Sequence, residues 1–175
     1  MMMLSSTEAV TTAKASNIIS NLHNLKIAVT AWYFDHMELL EIGEDYYFHG
    51  KTKSATGKSY YDHKTIGNFA RYSDAARKDI LRYLNNDNIE LNVDDDNWKE
   101  GHYRVFDASA NNINKTDKKA NLWFVGYHMG NNTKLKQKIA GRAKSLGLLK
   151  NANGEYGEYY DGVENQVWIK VLDLK

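Results

Sequence analysis

The most regular pattern of apolar and polar positions covers residues 6–40. Apolar residues recur there at alternating steps of four and three, the spacing of one buried stripe on an amphipathic helix. The stripe consists of Ile18, Leu22, Leu25, Val29 and Trp32. Interspersed alanines favour helix, and no glycine interrupts the run before Gly43. The pattern therefore predicts one long N-terminal helix that ends near Gly43 and packs its stripe on the rest of the protein.

Beyond residue 85 the pattern changes to the alternation of apolar and polar positions that is typical of half-buried strands. This alternation predicts strands at residues 89–93, 102–108 and 163–172, and a concentration of aromatic and β-branched residues predicts another at 122–128. Asp161–Gly162 is a hairpin-type turn, so we expect residues 156–160 to pair with the last strand. A long helix followed by an antiparallel β-sheet with small helices is an α+β order.

Two shorter helices are predicted among these strands. One covers residues 74–84, and the other has an apolar stripe at Leu135, Ile139, Ala143 and Leu146. Thr133 is the candidate N-cap of the second helix, and Gly147 is its candidate left-handed C-terminal stop. Its basic residues are expected to face outward: Lys134, Lys136, Lys138, Arg142 and Lys144. Such a run is more often a solvated face than a nucleic-acid site.

Length and composition limit the class of protein. The 175 residues predict a single domain, residues 1–175, with the helix at 1–42 and a head at 43–175. The hydrophobic fraction of 42% and charged fraction of 26% are ordinary for a globular protein. With a net charge of +1, no nucleic-acid partner is expected. Because there is no cysteine, disulfides, thiolate zinc sites and cysteine nucleophiles are excluded.

The sequence contains no pattern typical of a catalytic site, so no enzyme is predicted. The six histidines form no H-E-x-x-H motif, and the serines lack a G-x-S-x-G setting. There is no P-loop and no G-x-G-x-x-G. Tyrosine clusters such as Tyr159–Tyr160 could form a carbohydrate or peptide surface, but core packing explains most of them.

The acidic loop Asp94, Asp95 and Asp96 is the candidate metal site, because clustered carboxylates can bind calcium through oxygen. Its spacing does not match the EF-hand loop, which needs a glycine that is absent here. A solvated acidic turn is the favoured interpretation. No cofactor is therefore expected, and calcium at this loop is the alternative.

The first helix carries a resemblance to a known family. The segment from Ala15 to Ala28 follows the pattern A-x-x-I-x-x-N-L-x-x-L-K-x-A, and the aromatic cluster Trp32-Tyr33-Phe34-Asp35 comes after it. The preceding Met1–Leu4 fits a frayed terminus, a non-native start or the tail of a longer apolar segment. With this pattern and aromatic cluster, the segment resembles the first helix of type IV pilins and type II secretion pseudopilins. The disulfide frequent in that family is impossible here, which favours cysteine-free pilins or calcium-stabilised pseudopilins.

The resemblance implies a pilin-like fold and a structural function. The protein would be a subunit of a bacterial type IV pilus or of a secretion pseudopilus, assembled through its N-terminal helix. Leu4, Val10 and Ala13 would contact neighbouring subunits, and Met1–Leu4 would be the last turn of a membrane-spanning segment. The implied partners are copies of the chain, other pilins and the inner-membrane assembly machinery.

The implied location is the cell envelope, first as a membrane-anchored precursor and then as a periplasmic or extracellular filament. The alternative function is a minor pilin or adhesin head that binds a glycan, DNA or a surface protein.

Overall fold

The computed structural model describes residues 2–35, 52–53, 59–60, 80–84, 89–92, 98–107, 121–152 and 157–174. Three predictions lie outside these residues. They are the helix end near Gly43, the acidic loop Asp94–Asp96 and most of the helix at 74–84, of which residues 80–82 are described and helical.

The predicted N-terminal helix is present as α1, Met2–Asp35. Its 34 residues make it about 51 Å long at the usual rise per residue. Such a helix is stable in a globular protein because one face packs on tertiary neighbours, not because of helix propensity alone.

Within the described residues the sheet has four antiparallel strands: β3, Tyr103–Asp107; β4, Asn121–His128; β5, Leu148–Leu149; and β6, Gln166–Leu174. Their order in the sheet is β3-β4-β6-β5. Helix α2, Thr133–Leu146, connects β4 to β5. A separate antiparallel pair is formed by β1, Thr52–Lys53, and β2, Ser59–Tyr60. The α+β class, a long N-terminal helix on an antiparallel sheet, is confirmed and consistent with a pilin-like fold.

Side chains of the sheet alternate between two faces, as the pleat requires. The inner face packs against α1 and α2 in the main core and includes Tyr103, Val105, Trp123, Val125, Tyr127, Val167, Ile169 and Val171. The outer face carries a second, smaller apolar cluster: Phe106, Phe124, Leu149, Ala152 and Trp168. Both faces of this sheet are therefore apolar near its centre.

Helix α2 differs from its prediction at its start. Its N-cap is Asn132, not Thr133, and the Asn132 side chain accepts a 3.1 Å hydrogen bond from the Leu135 N–H. Asparagine caps a helix as well as threonine does, so residue type alone does not determine which of Asn132 and Thr133 is the N-cap. The position at which the chain leaves β4 determines it. The predicted stop is confirmed, because Gly147 has a φ of 66° and its N–H donates to the Ala143 carbonyl.

Lys136 of α2 was predicted to face outward, and this is wrong. The side chain is buried, and its Nζ donates to the Val163 carbonyl at 3.0 Å and to the Asn165 side-chain oxygen. Burial of an ammonium group is tolerated when such acceptors satisfy its protons. The lysine thus attaches α2 to the loop before β6.

The predicted hairpin at Asp161–Gly162 is also wrong. Gly162 does have a left-handed φ of 91°, and the Val163 N–H donates to Asp161 Oδ1 at 3.0 Å. However, the segment before this turn pairs with the β5 region, since Tyr160 N–H donates to the Leu148 carbonyl at 2.9 Å. Strand β6 is already paired on one edge with β4 and on the other with β5, so it has no free edge for a hairpin partner.

The buried tyrosines of the inner face make the fold sensitive to alkali. Burial raises the pKa of Tyr103, and the 3.1 Å hydrogen bond from Asn21 Nδ2 to its hydroxyl opposes this only in part. Burial also raises the pKa of Tyr127, whose ring lies 4.7 Å from that of Tyr103. An unfolded tyrosine loses its proton near pH 10, whereas these two retain theirs at higher pH.

We therefore expect stability to be intact below about pH 10 and to fall as the pH rises above it, because the unfolded state then binds fewer protons. Thermal unfolding followed by circular dichroism between neutral and strongly alkaline pH measures this. The variant Tyr103→Phe should lose its stability less steeply with pH than the parent. Equal slopes for the two proteins would contradict the assignment.

Candidate functional site

One face of α1 is buried against the sheet and α2. All five residues predicted for head packing lie there: Ile18, Leu22, Leu25, Val29 and Trp32. The structure adds Ala15, Ile19, Ala28 and Tyr33 to this buried face. These residues adjoin the predicted ones on the helix surface, so the buried face of α1 is wider than the stripe predicted from alternating steps of four and three. A broad apolar face is what a core-facing helix of a globular protein requires.

The C-terminal end of α1 is held by aromatic contacts with the middle of the sheet. The ring centroid of Trp123 in β4 lies 5.9 Å from Trp32 and 5.4 Å from Tyr33, the latter in an edge-to-face arrangement. The Tyr83 hydroxyl also donates a 2.5 Å hydrogen bond to Asp35 Oδ2. Aromatic pairs of this kind contribute about 0.5–1.5 kcal/mol each beyond their buried area. The helix end is thereby oriented on β4.

The N-terminal half of α1 is bounded on one flank by α2. Lys138 Nζ lies 2.9 Å from Glu8 Oε1, and Arg142 donates to the Ser16 hydroxyl at 3.2 Å. The hydrogen bond and charge of Lys138 lower the pKa of Glu8. Both side chains of the ion pair are exposed, so the pair contributes little to the free energy of unfolding. These contacts place the Glu8 charge on the side of the helix that faces α2.

The face of α1 that points away from the sheet has a second regular pattern. Its residues follow steps of three and four over the length of the helix, and we call them the outer stripe: Val10, Ala13, Asn17, Ser20, Asn24, Ile27, Ala31 and Phe34. None of the eight carries a charge. Three large apolar members are exposed, Val10 and Ile27 at 67% and Phe34 at 54%. The stripe therefore presents exposed apolar side chains among small and uncharged ones.

An outer stripe of this kind suits contact with another helix. Small side chains let two helix backbones approach closely, and steps of three and four form the ridges that fit the grooves of a partner helix. A solvated helix face ordinarily carries charged residues, which are missing here. The larger apolar members would supply the buried area of such a contact.

Of the three predicted filament contacts, Val10 and Ala13 belong to the outer stripe. Leu4 lies within α1, and its side chain is outside the described residues. The sequence reasoning did not select Ile27 and Phe34, which are exposed on the same stripe. Their spacing from Val10 in steps of three and four could have revealed them, because it is offset from the buried stripe by about half a turn.

The remaining predicted sites receive no structural support. Asp94, Asp95 and Asp96 lie outside the described residues, and within the described part no three acidic or histidine side chains cluster as a metal site. Of the predicted tyrosine surface, Tyr159 is half exposed while Tyr160 is buried in the main core. Among the helices that the structure describes, none is both long and apolar enough to span a bilayer.

Comparison with known proteins does not assign a family. No family model, no curated protein and no solved structure matches this chain.

Proposed function

We propose that this chain is a structural subunit of a bacterial filament, a type IV pilus or a type II secretion pseudopilus, and that it assembles through α1. The role is structural and not catalytic. The proposal combines the resemblance of the α1 sequence to the first helix of that family with the architecture, in which a long N-terminal helix lies on an antiparallel sheet.

The observation that carries the proposal is the outer stripe of α1. The opposite face of the helix already packs on its own sheet, so the outer stripe is free to contact a second subunit. A helix of about 51 Å offers such a contact along its whole length. In a filament the helices would pack at the centre, with each sheet farther from the axis.

The partners on this proposal are copies of the chain, other pilins and the membrane machinery that adds subunits to the filament. An apolar segment preceding α1 in the full-length protein would anchor the subunit in the membrane before assembly. The protein would then belong to the cell envelope, as an anchored precursor and later as part of a periplasmic or extracellular filament.

The proposal predicts that a charge on the outer stripe prevents assembly without unfolding the subunit. Val10→Lys and Ile27→Lys, made in the full-length protein in its own cells, should abolish filaments recovered by shearing and seen by electron microscopy. A lysine in the contact would have to be buried against a neighbouring helix, which costs several kcal/mol at each subunit. Thermal unfolding of the chain described here should be unchanged, since both side chains are exposed.

Gln137→Lys is the matched control, because it adds the same charge at an exposed position of α2. Cells with this variant should make normal filaments. Normal filaments from cells that carry Val10→Lys and Ile27→Lys together would rule out assembly through the outer stripe.

A further inference from the structure

The eight residues of the outer stripe follow a seven-residue repeat. Successive members are alternately three and four residues apart from Val10 to Phe34, which is the spacing of the a and d positions of a coiled coil. Because this period of 3.5 residues is shorter than that of a straight helix, a partner helix on the stripe would wrap around α1 in a left-handed supercoil. The a positions are Val10, Asn17, Asn24 and Ala31, and the d positions are Ala13, Ser20, Ile27 and Phe34.

Two asparagines occupy a positions in the middle of the outer stripe. Asn17 and Asn24 are exposed, and the apolar members Val10 and Ile27 on either side of them are 67% exposed. A partner helix on the stripe would remove both amides from water together with these apolar side chains. A buried amide without a hydrogen-bond partner costs about 1–3 kcal/mol. A suitable partner therefore carries hydrogen-bonding groups at the levels of both asparagines.

A second copy of α1, parallel and in the same register, carries such groups. Asn17 then faces the partner's Asn17, and Asn24 faces the partner's Asn24. Each amide has donors and an acceptor, so two facing amides can hydrogen-bond to each other. In an antiparallel pair with the stripes aligned, Asn17 instead faces the partner's Ile27. In a parallel pair shifted by seven residues, Val10 faces the partner's Asn17. Of these three arrangements, only the in-register pair places each asparagine opposite another asparagine.

The other residues of α1 are compatible with an in-register pair. Ala13 and Ser20 are small, so they let the two helix backbones approach closely beside the asparagines. Lys14 and Asp35 lie beside the stripe at e positions, and the g positions that they would face in the second copy carry no charge. Like charges are therefore not opposed. The buried face of α1 packs on the opposite side of the helix, so pairing requires no opening of the fold.

We propose that two copies of this chain pair through their outer stripes as a parallel, in-register, two-stranded coiled coil. Asn17 and Asn24 fix the register, as polar residues at a positions do in coiled coils. The inference deepens the proposed function and rests on its helix-to-helix contact, to which it adds the partner, the orientation and the register. A parallel pair also leaves both N-termini at one end, where the anchors of that proposal would enter the same membrane.

Disulfide trapping tests the orientation and register, because the chain has no cysteine of its own. Ala13→Cys and Ala31→Cys, of which one carries a tag that changes its mass, are mixed in a glutathione redox buffer. In the in-register pair Ala13 faces the partner's Ala13 and Ala31 faces the partner's Ala31. In the antiparallel pair Ala13 faces the partner's Ala31. The two homodimers together should exceed the mixed disulfide at least about tenfold, whereas random pairing gives equal amounts.

Thr12→Cys is the matched control, since Thr12 is also exposed and adjoins Ala13 but lies off the outer stripe. At equal concentration it should form at least about tenfold less disulfide dimer than Ala13→Cys. Thermal unfolding of the reduced variants should match that of the parent, because these positions are exposed. Equal trapping of Thr12→Cys and Ala13→Cys, or a mixed disulfide as abundant as the homodimers, would overturn the proposal.

Asn17→Val combined with Asn24→Val tests whether the amides fix the register. An apolar stripe should pair more tightly, but it no longer favours one register. In the two cysteine variants the mixed disulfide should therefore rise towards the amount that random pairing gives. Thr12→Val is the control and should leave the preference for homodimers unchanged. The same preference in the double asparagine variant would show that the asparagines do not fix the register.

The pairing and the filament function fail separately. Filaments that are lost with Val10→Lys and Ile27→Lys, together with no preference for homodimers, would refute the register and leave the filament contact in place. Normal filaments with these two lysines, together with a clear preference for homodimers, would support the pair and contradict filament assembly through the outer stripe.

Discussion

Leu25→Lys is expected to unfold the protein. Leu25 is fully buried, with 0% exposure, at the centre of the face of α1 that packs on the sheet. The substitution removes the transfer free energy of a buried leucine, about 1.5–3 kcal/mol, and places an unpaired ammonium group in the core at a cost of several kcal/mol more. The free energy of unfolding of a domain is typically about 5–15 kcal/mol, so most or all of it would be lost.

Urea denaturation followed by circular dichroism and tryptophan fluorescence measures this effect. Ile27→Lys is the matched control, because Ile27 lies two residues away on the same helix and is exposed. Its free energy of unfolding should change by no more than about 0.5 kcal/mol. If Leu25→Lys unfolds at the same urea concentration as the control, the assignment of the two faces of α1 is wrong.

Gly126→Val is expected to destabilise the protein by about 3 kcal/mol, at the upper end for an overpacked core site. Gly126 lies in β4, opposite Trp168 of β6, and a Cβ atom there would come within 2.5 Å of the indole ring. Trp168 would have to move, and it packs against the rings of Trp98 and Phe106. The cost arises from this displacement, since a β-branched residue is otherwise well suited to a strand.

Gly141→Ala provides a control of opposite sign. Gly141 lies inside α2, and a Cβ atom there would meet nothing within 4 Å. Alanine should therefore stabilise the helix by about 0.5–1 kcal/mol. Chemical denaturation of both variants measures the two effects, and a Gly126→Val protein as stable as the parent would show that Trp168 does not lie over this glycine.

Much of the fold follows from local patterns. The stripe that contains Leu22 and Leu25 predicts α1 and its buried face, because a helical period is visible in any contiguous segment. The stop of α2 at Gly147 follows likewise from a residue that readily adopts a left-handed conformation. Alternation in residues 102–108 predicts β3, and the aromatic and β-branched residues of 122–128 predict β4, with an error of one residue at an end of each strand.

The predictions are wrong where contacts with a distant part of the chain determine the burial of a residue or the pairing of a strand. Lys136 has the spacing of a solvated position, yet it is buried because the loop before β6 folds over it and accepts its hydrogen bonds. Asp161–Gly162 has the composition of a hairpin turn, yet both edges of β6 are occupied by other strands. A local pattern does not show which segment will pack or pair with a given residue, because that depends on the order of strands in the sheet.

The candidate sites divide in the same way. The outer stripe of α1 can be predicted from the sequence, because the spacing of Val10, Ile27 and Phe34 places them on one face of any helix that contains them. The arrangement of Arg104, Lys150 and Trp168 on the outer face of the sheet does not follow from the sequence, because these residues come from three separate segments. The period of two shows which residues of β3 share a face with Arg104 and which residues of β6 share a face with Trp168. Only the pairing of β4 with both β3 and β6 puts Arg104 and Trp168 on the same face of one sheet.

The sequence by itself thus determined the long helix, its two faces and the α+β class, because these depend on the spacing of residues along one segment. The tertiary structure decided which strand lies beside which, which lysine is buried and where cations meet aromatic rings. Those features depend on contacts between residues far apart in the chain, and such contacts exist only once α1 and the sheet have packed together.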